Sequence, residues 1–242
     1  MRMFFIILLL VLIPLTGCTK TPAEILEAHR ALASQADVNV SLAKLEKEFK
    51  SAKDDAERAS AKTSMAEIHL RKGDTVAAKK SAAEAVKFRP NLARARYALG
   101  KSYISSGRYD DAITELQHSI DLKDDNPDAY FELGNAYYRK GNAGRAMWAY
   151  KKAVDLDDTH HLAWNNLAVI YGRAGNPSRA ISILKKVTSL KKDYAPAYRN
   201  MGVIYDTQVK NHSMAVENYN KYLKLRPNAE DRDLVMLWIR VL

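Results

Sequence analysis

A pattern of apolar and small residues repeats every 34 residues over most of the chain. Five segments align on this period, beginning at residues 59, 93, 127, 161 and 195. The seventh position of each segment is a large apolar residue, and the eighth is always alanine or glycine. These residues are Met65 and Ala66, Leu99 and Gly100, Leu133 and Gly134, Leu167 and Ala168, and Met201 and Gly202. The repetition predicts one supersecondary unit that is stacked five times.

The spacing inside each segment indicates two α-helices joined by a short turn. Positions 4, 7, 8 and 11 lie on one stripe of a helix, because residues three and four apart share a face. Position 15 is glycine in the first four segments, where a helix end commonly needs a left-handed backbone conformation. Position 20 is small, as expected where the second helix crosses the first: Ala78, Ala112, Ala146, Ala180 and, after a one-residue insertion, Ala215.

This pattern resembles the tetratricopeptide repeat, whose period is 34 residues. The resemblance implies an all-α solenoid, a right-handed superhelix of antiparallel helix hairpins. The five repeats are predicted at residues 59–92, 93–126, 127–160, 161–194 and 195–229. We expect residues 26–58 to be a degenerate repeat that forms a helical N-terminal cap, and residues 230–242 to be a C-terminal capping helix.

The predicted C-terminal helix is more apolar than a capping helix needs, since the last helix of a solenoid normally has a polar outer face. We expect one side of this helix to pack on the fifth repeat through Leu234, Leu237, Trp238 and Val241. The apolar residues left partly uncovered would then be Val235, Met236 and Ile239. Two interpretations remain open: the last hairpin covers them, or they form a surface for a homodimer or another partner.

The N-terminal segment differs in kind from the repeats. Its apolar run from Met3 to Ile13 has 11 residues, whereas a helix that spans a bilayer needs about 20. One positive residue (Arg2), a short apolar run and small residues before a boundary are typical of a secretory signal peptide. The sequence Leu-Thr-Gly-Cys at residues 15–18 resembles the lipobox of bacterial lipoproteins.

The lipobox resemblance implies that the signal peptide, residues 1–17, is removed and that Cys18 carries the lipid. Residues 18–25 would then be a short tether. In the sorting rule of Gram-negative lipoproteins, the residue after the cysteine is Asp in proteins that stay in the inner membrane. Here it is Thr19, so we expect the periplasmic face of the outer membrane. The open alternative is a signal anchor with an incidental cysteine.

Charge and motifs narrow the class of protein. The chain has 38 Lys and Arg residues against 28 Asp and Glu, a surplus that favours anionic lipid headgroups, acidic peptides or nucleic acid as partners. The cations are spread along the chain, which favours a solvated surface, and export makes nucleic acid the least expected partner. No Gly-rich phosphate loop, HExxH, nucleophile elbow or CxxCH is present. We therefore expect no catalytic residue, cofactor or metal, and no enzyme.

The repeat register also predicts a binding face. Once positions 4, 7, 8 and 11 are buried, positions 2, 5, 9, 12 and 13 of the first helix point the other way. In tetratricopeptide arrays this face lines a concave groove, where aromatic residues anchor a partner and Lys, Arg and Asn donate to carbonyls or carboxylates. The predicted partner-binding residues are Arg94, Tyr97, Lys101, Phe131, Asn135, Tyr138, Asn165 and Arg199. The alternative is that they serve packing and solubility.

Two specialised grooves of the family fit this sequence only in part. The carboxylate clamp of chaperone adaptors is matched by Lys101, Asn135 and Asn165, but Val169 stands where a basic residue should be. The asparagine ladder of the O-linked N-acetylglucosamine transferase, at position 6, is matched by Asn166 and Asn200. It is not matched by Ala98 and Glu132. A general groove for an extended peptide fits better than either.

The sequence therefore predicts a lipid-anchored adaptor that binds a protein or an extended peptide and assists the assembly of an outer-membrane complex. In size and layout the chain resembles the small lipoproteins that help to assemble type IV pilus secretins, and those that scaffold cell-wall hydrolases or outer-membrane assembly machinery. The alternative is a periplasmic chaperone that holds an unfolded exported client, such as an apocytochrome segment.

Overall fold

The computed structural model describes residues 22–123 and 125–242, with side chains from residue 37 onward. The signal peptide and the lipidation predicted at Cys18 lie outside these residues. The chain divides into two units, residues 1–44 and 45–242, and the predicted repeats all lie in the second. The predicted tether overlaps the first helix, which begins at Pro22.

The described residues form twelve α-helices and one π-helical turn, Tyr205–Val209. The α-helices are α1 (Pro22–Ser51), α2 (Asp55–Lys72), α3 (Thr75–Phe88), α4 (Ala93–Ser105), α5 (Tyr109–Leu122), α6 (Pro127–Arg139), α7 (Ala143–Leu156), α8 (His161–Arg173), α9 (Pro177–Leu190), α10 (Ala195–Ile204), α11 (His212–Leu225) and α12 (Arg232–Val241). Helices α2 to α11 pack as five consecutive pairs, and each pair packs on the next. The all-α solenoid predicted from the sequence is confirmed. We call α2, α4, α6, α8 and α10 the first helices and their partners the second helices.

Each hairpin is held together where its two helices cross. A Cβ atom added to Gly134 on α6 would lie 2.6 Å from the Tyr150 ring on α7. At Gly202 it would lie 2.5 Å from the Tyr219 ring. Real Cβ contacts are not this short, so only glycine lets the large side chain of the second helix lie flat on the first.

The turns between paired helices combine a glycine with a capping residue. Gly141 ends α6 with a φ of 78°, a conformation that costs other residues about 1–2 kcal/mol. The next residue, Asn142, accepts a hydrogen bond from the Arg145 backbone N–H at 3.1 Å and so caps α7. The same combination occurs at Gly73 and Gly175, each followed by Asp or Asn.

The fifth hairpin absorbs its one-residue insertion in the π-helical turn that follows α10. A π turn adds one residue to a helical turn without breaking the helix. The hairpin turn that follows has no glycine, and Lys210 takes the left-handed conformation with a φ of 59°.

The degenerate repeat predicted for residues 26–58 does not form a helix pair. Residues 22–51 are one continuous helix, and α2 begins at Asp55. No glycine or proline lies between Pro22 and Ser51 to make a turn, so the helix is not interrupted. Its C-terminal end contacts the first hairpin, where the rings of Phe49 and Phe88 lie 5.8 Å apart.

The C-terminal helix α12 is rotated relative to the prediction. Val235 is fully buried, whereas Leu234, Leu237 and Val241 are 47%, 53% and 73% exposed. The expectation that these three residues pack on the fifth repeat is therefore wrong. The rotation has a cause outside the helix, because Asp231 at its N-terminus accepts hydrogen bonds from Arg199 and Tyr222.

Candidate functional site

An open pocket of about 390 Å³ lies on the face of the first helices, between α4, α6 and α8. We call it the central pocket. Its apolar lining is Ile104, Phe131, Leu162 and Val169, together with the rings of Tyr138, Tyr150 and Tyr194. Its polar lining is Asn135, Arg139 and Asn166. Three of the eight predicted partner-binding residues, Phe131, Asn135 and Tyr138, are therefore brought together here.

His160 lies behind the central pocket, in contact with Phe131 of its lining. Its Nδ1 accepts a hydrogen bond from the Ala163 backbone N–H at 3.2 Å, and its Nε2 lies 3.3 Å from the Asp128 carboxylate. Nε2 therefore carries the proton in this arrangement. The Phe131 ring stacks on the imidazole with centroids 4.9 Å apart. The hydrogen bond from His160 lowers the pKa of Asp128. Both ring nitrogens of His160 have partners, so the imidazole is held in place against Phe131.

Asn135 forms the polar wall of the pocket with the Tyr150 hydroxyl. Asn135 Oδ1 accepts hydrogen bonds from Tyr150 at 2.8 Å and from Asn166 Nδ2 at 3.0 Å. Its Nδ2 donates to Glu132 at 3.0 Å. Burial raises the pKa of Tyr150, so the hydroxyl stays protonated and able to donate. Among the described residues, these bonds leave Asn135 one amide hydrogen for a ligand.

The hydrogen bonds continue from Asn135 along the first helices as a ladder of four asparagines: Asn135, Asn166, Asn165 and Asn200. Asn165 donates to Asn166 at 3.2 Å and accepts from Asn200 at 3.0 Å. Asn165 is only 5% exposed. This residue was predicted to bind a partner, but the structure places it inside the ladder, where it joins the fourth and fifth repeats.

The predicted residues of the second repeat lie outside the lining of the central pocket and are already paired. Lys101 lies 3.3 Å from the carboxylate of Glu132 and over the ring of Tyr97. Arg94 makes two hydrogen bonds to Glu67, at 2.6 and 2.5 Å. Burial, and then the neighbouring carboxylates, raise the pKa of Tyr97. These groups join the first three repeats to one another.

Arg199, the last predicted residue, belongs to the anchoring of α12. Its Nε donates to Asp231 at 2.5 Å, and its guanidinium lies 5.5 Å from the Trp238 ring centroid. Burial alone would raise the pKa of Asp231, but hydrogen bonds from Tyr222 and Arg199 outweigh it, and the net pKa is lowered. Arg199 does not line the central pocket.

A second pocket, of about 270 Å³, adjoins the central one and shares Tyr138 with it. Its lining includes Gly141, Ile170 and Arg173. The Arg173 guanidinium lies over the Tyr138 ring, 5.4 Å from the centroid. Arg139 and Arg173 were not among the predicted binding residues. Both hold position 13 of their repeats, which the repeat register does place on this face.

The described residues hold neither a membrane-spanning helix nor a metal-binding cluster. None of their helices is both long and apolar enough to cross a bilayer. They contain no group of three or more His, Cys, Asp or Glu side chains placed to hold a metal ion. The expectation of no metal or catalytic centre stays a prediction for the whole chain.

Sequence profiles of known families match several parts of the chain. A profile described as "TPR repeat" matches residues 100–141. Profiles described as "Tetratricopeptide repeat" match residues 149–182 in one case and residues 127–160 and 195–229 in another. No curated protein sequence matches the chain.

Solved structures with a similar fold include three that illustrate its range. MamA is 26% identical, with a TM-score of 0.60, over 71% of this chain and 93% of MamA. YrrB, described as a TPR protein with an unusual peptide-binding site, is 21% identical, with a TM-score of 0.62, over 82% of this chain and 98% of YrrB. PilW, described as a widely conserved type IV pilus biogenesis factor, is 19% identical, with a TM-score of 0.67. This match covers 75% of this chain and 86% of PilW.

Proposed function

The chain is a tetratricopeptide-repeat protein, and we propose that it is a lipid-anchored adaptor whose central pocket holds an extended segment of a protein partner. The repeat fold is that of a protein–protein interaction scaffold, and such repeat proteins are generally non-enzymatic. The observation that carries the proposal is the central pocket, in which apolar walls and asparagine amides meet on the face of the first helices.

The composition of the central pocket suits an extended peptide better than a small polar molecule. Phe131, Leu162 and Val169 offer a surface for one apolar side chain, and ligand pockets are typically apolar with a few placed polar groups. An extended segment also carries backbone carbonyls that need donors, and Asn135 has one amide hydrogen to give.

The proposed localisation of the adaptor is argued from the N-terminal segment. The Leu-Thr-Gly-Cys sequence supports lipidation of Cys18, and two or more acyl chains hold a protein stably on a membrane. Thr19 supports the periplasmic face of the outer membrane. PilW has this fold and is a pilus biogenesis factor, so the fold is compatible with a role in assembling an envelope complex.

Partner capture tests the adaptor. Tagged protein would be purified from crosslinked native membranes, as wild type and as Leu162→Ser/Val169→Ser, which alters the pocket walls without touching a described hydrogen bond. Trp148→Ala is the matched control, since Trp148 is 49% exposed on a second helix. We expect one envelope complex to be recovered with wild type and control and lost with the pocket variant. Equal recovery from all three would refute the pocket as the binding site. A scatter of unfolded exported proteins would favour the chaperone alternative.

The lipid anchor is tested by Cys18→Ala. Because the thiol is the attachment point, we expect this variant to lose the acylated mature form and to accumulate as an uncleaved precursor. Mass spectrometry of the N-terminus and membrane fractionation measure both. A variant that is still cleaved and still sediments with membranes would show that the anchor proposal is wrong.

Dimerisation through the C-terminal helix also remains part of the proposal. Leu234, Leu237 and Val241 form an exposed apolar stripe on α12, on the helix that follows the fifth hairpin. We expect Leu237→Lys to shift the detergent-solubilised chain from dimer to monomer in light scattering. Leu156→Lys, at a residue 46% exposed on α7, is the control. A wild-type chain that is monomeric would end this part of the proposal.

A further inference from the structure

We propose that the groove selects segments in which an apolar side chain is flanked, within a few residues, by a carboxylate. This inference rests on the proposed function, because it names the chemistry of the segment that the groove holds. The apolar side chain would enter the central pocket, and the carboxylate would be bound by the guanidinium groups of Arg139 and Arg173.

The first observation is how the cations of this face are used. Arg94, Lys101 and Arg199 are each paired with a carboxylate of the chain, Glu67, Glu132 and Asp231 respectively. Arg139 and Arg173 make no ion pair within the described residues, and both are exposed. Arg71, at the same position of the first repeat, is also exposed and has no ion pair among the described residues, but it lines neither pocket. Arg139 and Arg173 are therefore the pocket-lining cations whose donors remain for an anionic partner.

The second observation is the charge of the two pockets. The lining of the central pocket contains one charged group, Arg139, and that of the second pocket also contains one, Arg173. No carboxylate lines either pocket among the described residues. Tyr138 belongs to both linings, and the Arg173 guanidinium lies 5.4 Å from the centroid of its ring. A carboxylate is the anion that proteins carry in quantity, and Arg can bind it with two parallel hydrogen bonds.

A structural role alone does not account for the hydrogen-bond donors of these two arginines. Each arginine ends a first helix, where a positive charge interacts favourably with the helix dipole. Arg173 also stacks on Tyr138. Both roles leave the N–H donors of the guanidinium unbound, and neither requires a pocket beside the charge.

The experiment is selection from a displayed library of random twelve-residue peptides on the immobilised full chain in detergent. Wild type is compared with Arg139→Gln/Arg173→Gln, which we call the arginine variant. The matched control is Arg145→Gln/Arg179→Gln, which removes the same charge from two arginines that lie over tyrosine rings, as Arg173 does, but line neither pocket. We expect wild type and control to enrich peptides with Asp or Glu near a Leu, Ile, Phe or Trp. The arginine variant should keep the apolar enrichment and lose the acidic one.

Synthetic peptides then distinguish the source of the carboxylate. The most enriched sequence would be made with blocked ends, with its acidic residue changed to Gln, and with a free C-terminus, and each titrated by fluorescence anisotropy. We expect the Gln change to weaken binding to wild type by about fivefold to tenfold, as for two exposed ion pairs. It should not change binding to the arginine variant. If the free C-terminus restores the Gln peptide, a terminal carboxylate serves as well.

The outcomes separate this inference from the function on which it rests. Apolar peptides without acidic enrichment on wild type would overturn the inference and leave the adaptor proposal standing. The same acidic enrichment on the arginine variant would also overturn the inference. No enrichment on wild type above Leu162→Ser/Val169→Ser would count against the adaptor proposal itself.

Discussion

The third and fifth hairpins follow one sequence template and use it differently. In the third hairpin the turn is Gly141, the aromatic Tyr150 supports a pocket, and Arg139 is left without an ion pair among the described residues. In the fifth hairpin the turn residue is Lys210 and Arg199 is paired with Asp231. Polar side chains of the third repeat, Asn135 and Arg139, line a pocket, whereas Arg199 of the fifth repeat holds α12.

This difference shows that a repeat position does not by itself determine a role. Phe131 and Arg199 both hold position 5, yet one lines the central pocket and the other anchors α12. What differs is the neighbour. A middle repeat has a further hairpin on each side, while the fifth has the fourth hairpin on one side and, among the described residues, the short helix α12 on the other.

The largest expected effect comes from Gly134→Ala. The added Cβ would lie 2.6 Å from the Tyr150 ring, so the ring must move. Overpacking of this kind typically costs about 1–3 kcal/mol. Movement of Tyr150 would also break its hydrogen bond to Asn135, so peptide binding should weaken too. Urea unfolding followed by circular dichroism measures the free energy of unfolding.

Two variants sharpen this prediction. Gly202→Ala makes an equally short contact with Tyr219, but we expect a smaller loss because an end repeat can open without the rest. Gly144→Ala, where the nearest atom would be 3.9 Å away, should stabilise the helix by up to about 1 kcal/mol. A Gly134→Ala protein as stable as wild type would mean that the helix crossing is looser than described.

The repeats were predictable from sequence because each depends on residues close in the chain. The period of 34, the small residues at positions 8 and 20 and the turn glycines are local signals, and the five hairpins follow from them. The rotation of α12 depends instead on Asp231 meeting Arg199, 32 residues earlier. The burial of Asn165 depends on Asn200 in the next repeat. Such side-chain pairings between repeats are not visible in a period.

An intermediate effect is expected from acid at the C-terminal end. The pKa of Asp231 is lowered by its bonds to Tyr222 and Arg199. Its contribution to stability is therefore present above the pKa of an unfolded Asp, about 3.9, and is lost as pH falls through the lower folded value. We expect the amide hydrogens of α12 to exchange faster at low pH, after correction for the intrinsic rate, than those of α6. Asp231→Asn should abolish this pH dependence, and its persistence in that variant would assign it to another group.

The smallest effect is expected at Lys210, in the turn of the fifth hairpin. Its left-handed backbone conformation (φ 59°) costs a residue with a Cβ about 1–2 kcal/mol. Glycine would remove this strain, but it loses more conformational entropy on folding, which cancels part of the stabilisation. Lys210→Gly should therefore stabilise the protein by up to about 1 kcal/mol in urea unfolding. The same change at Lys224, in the last turn of α11, should destabilise it by a similar amount. If Lys210→Gly were destabilising as well, the lysine side chain would have to contribute contacts that outweigh the strain of its backbone. The fifth hairpin would then be built around that side chain, and not merely tolerant of a missing glycine.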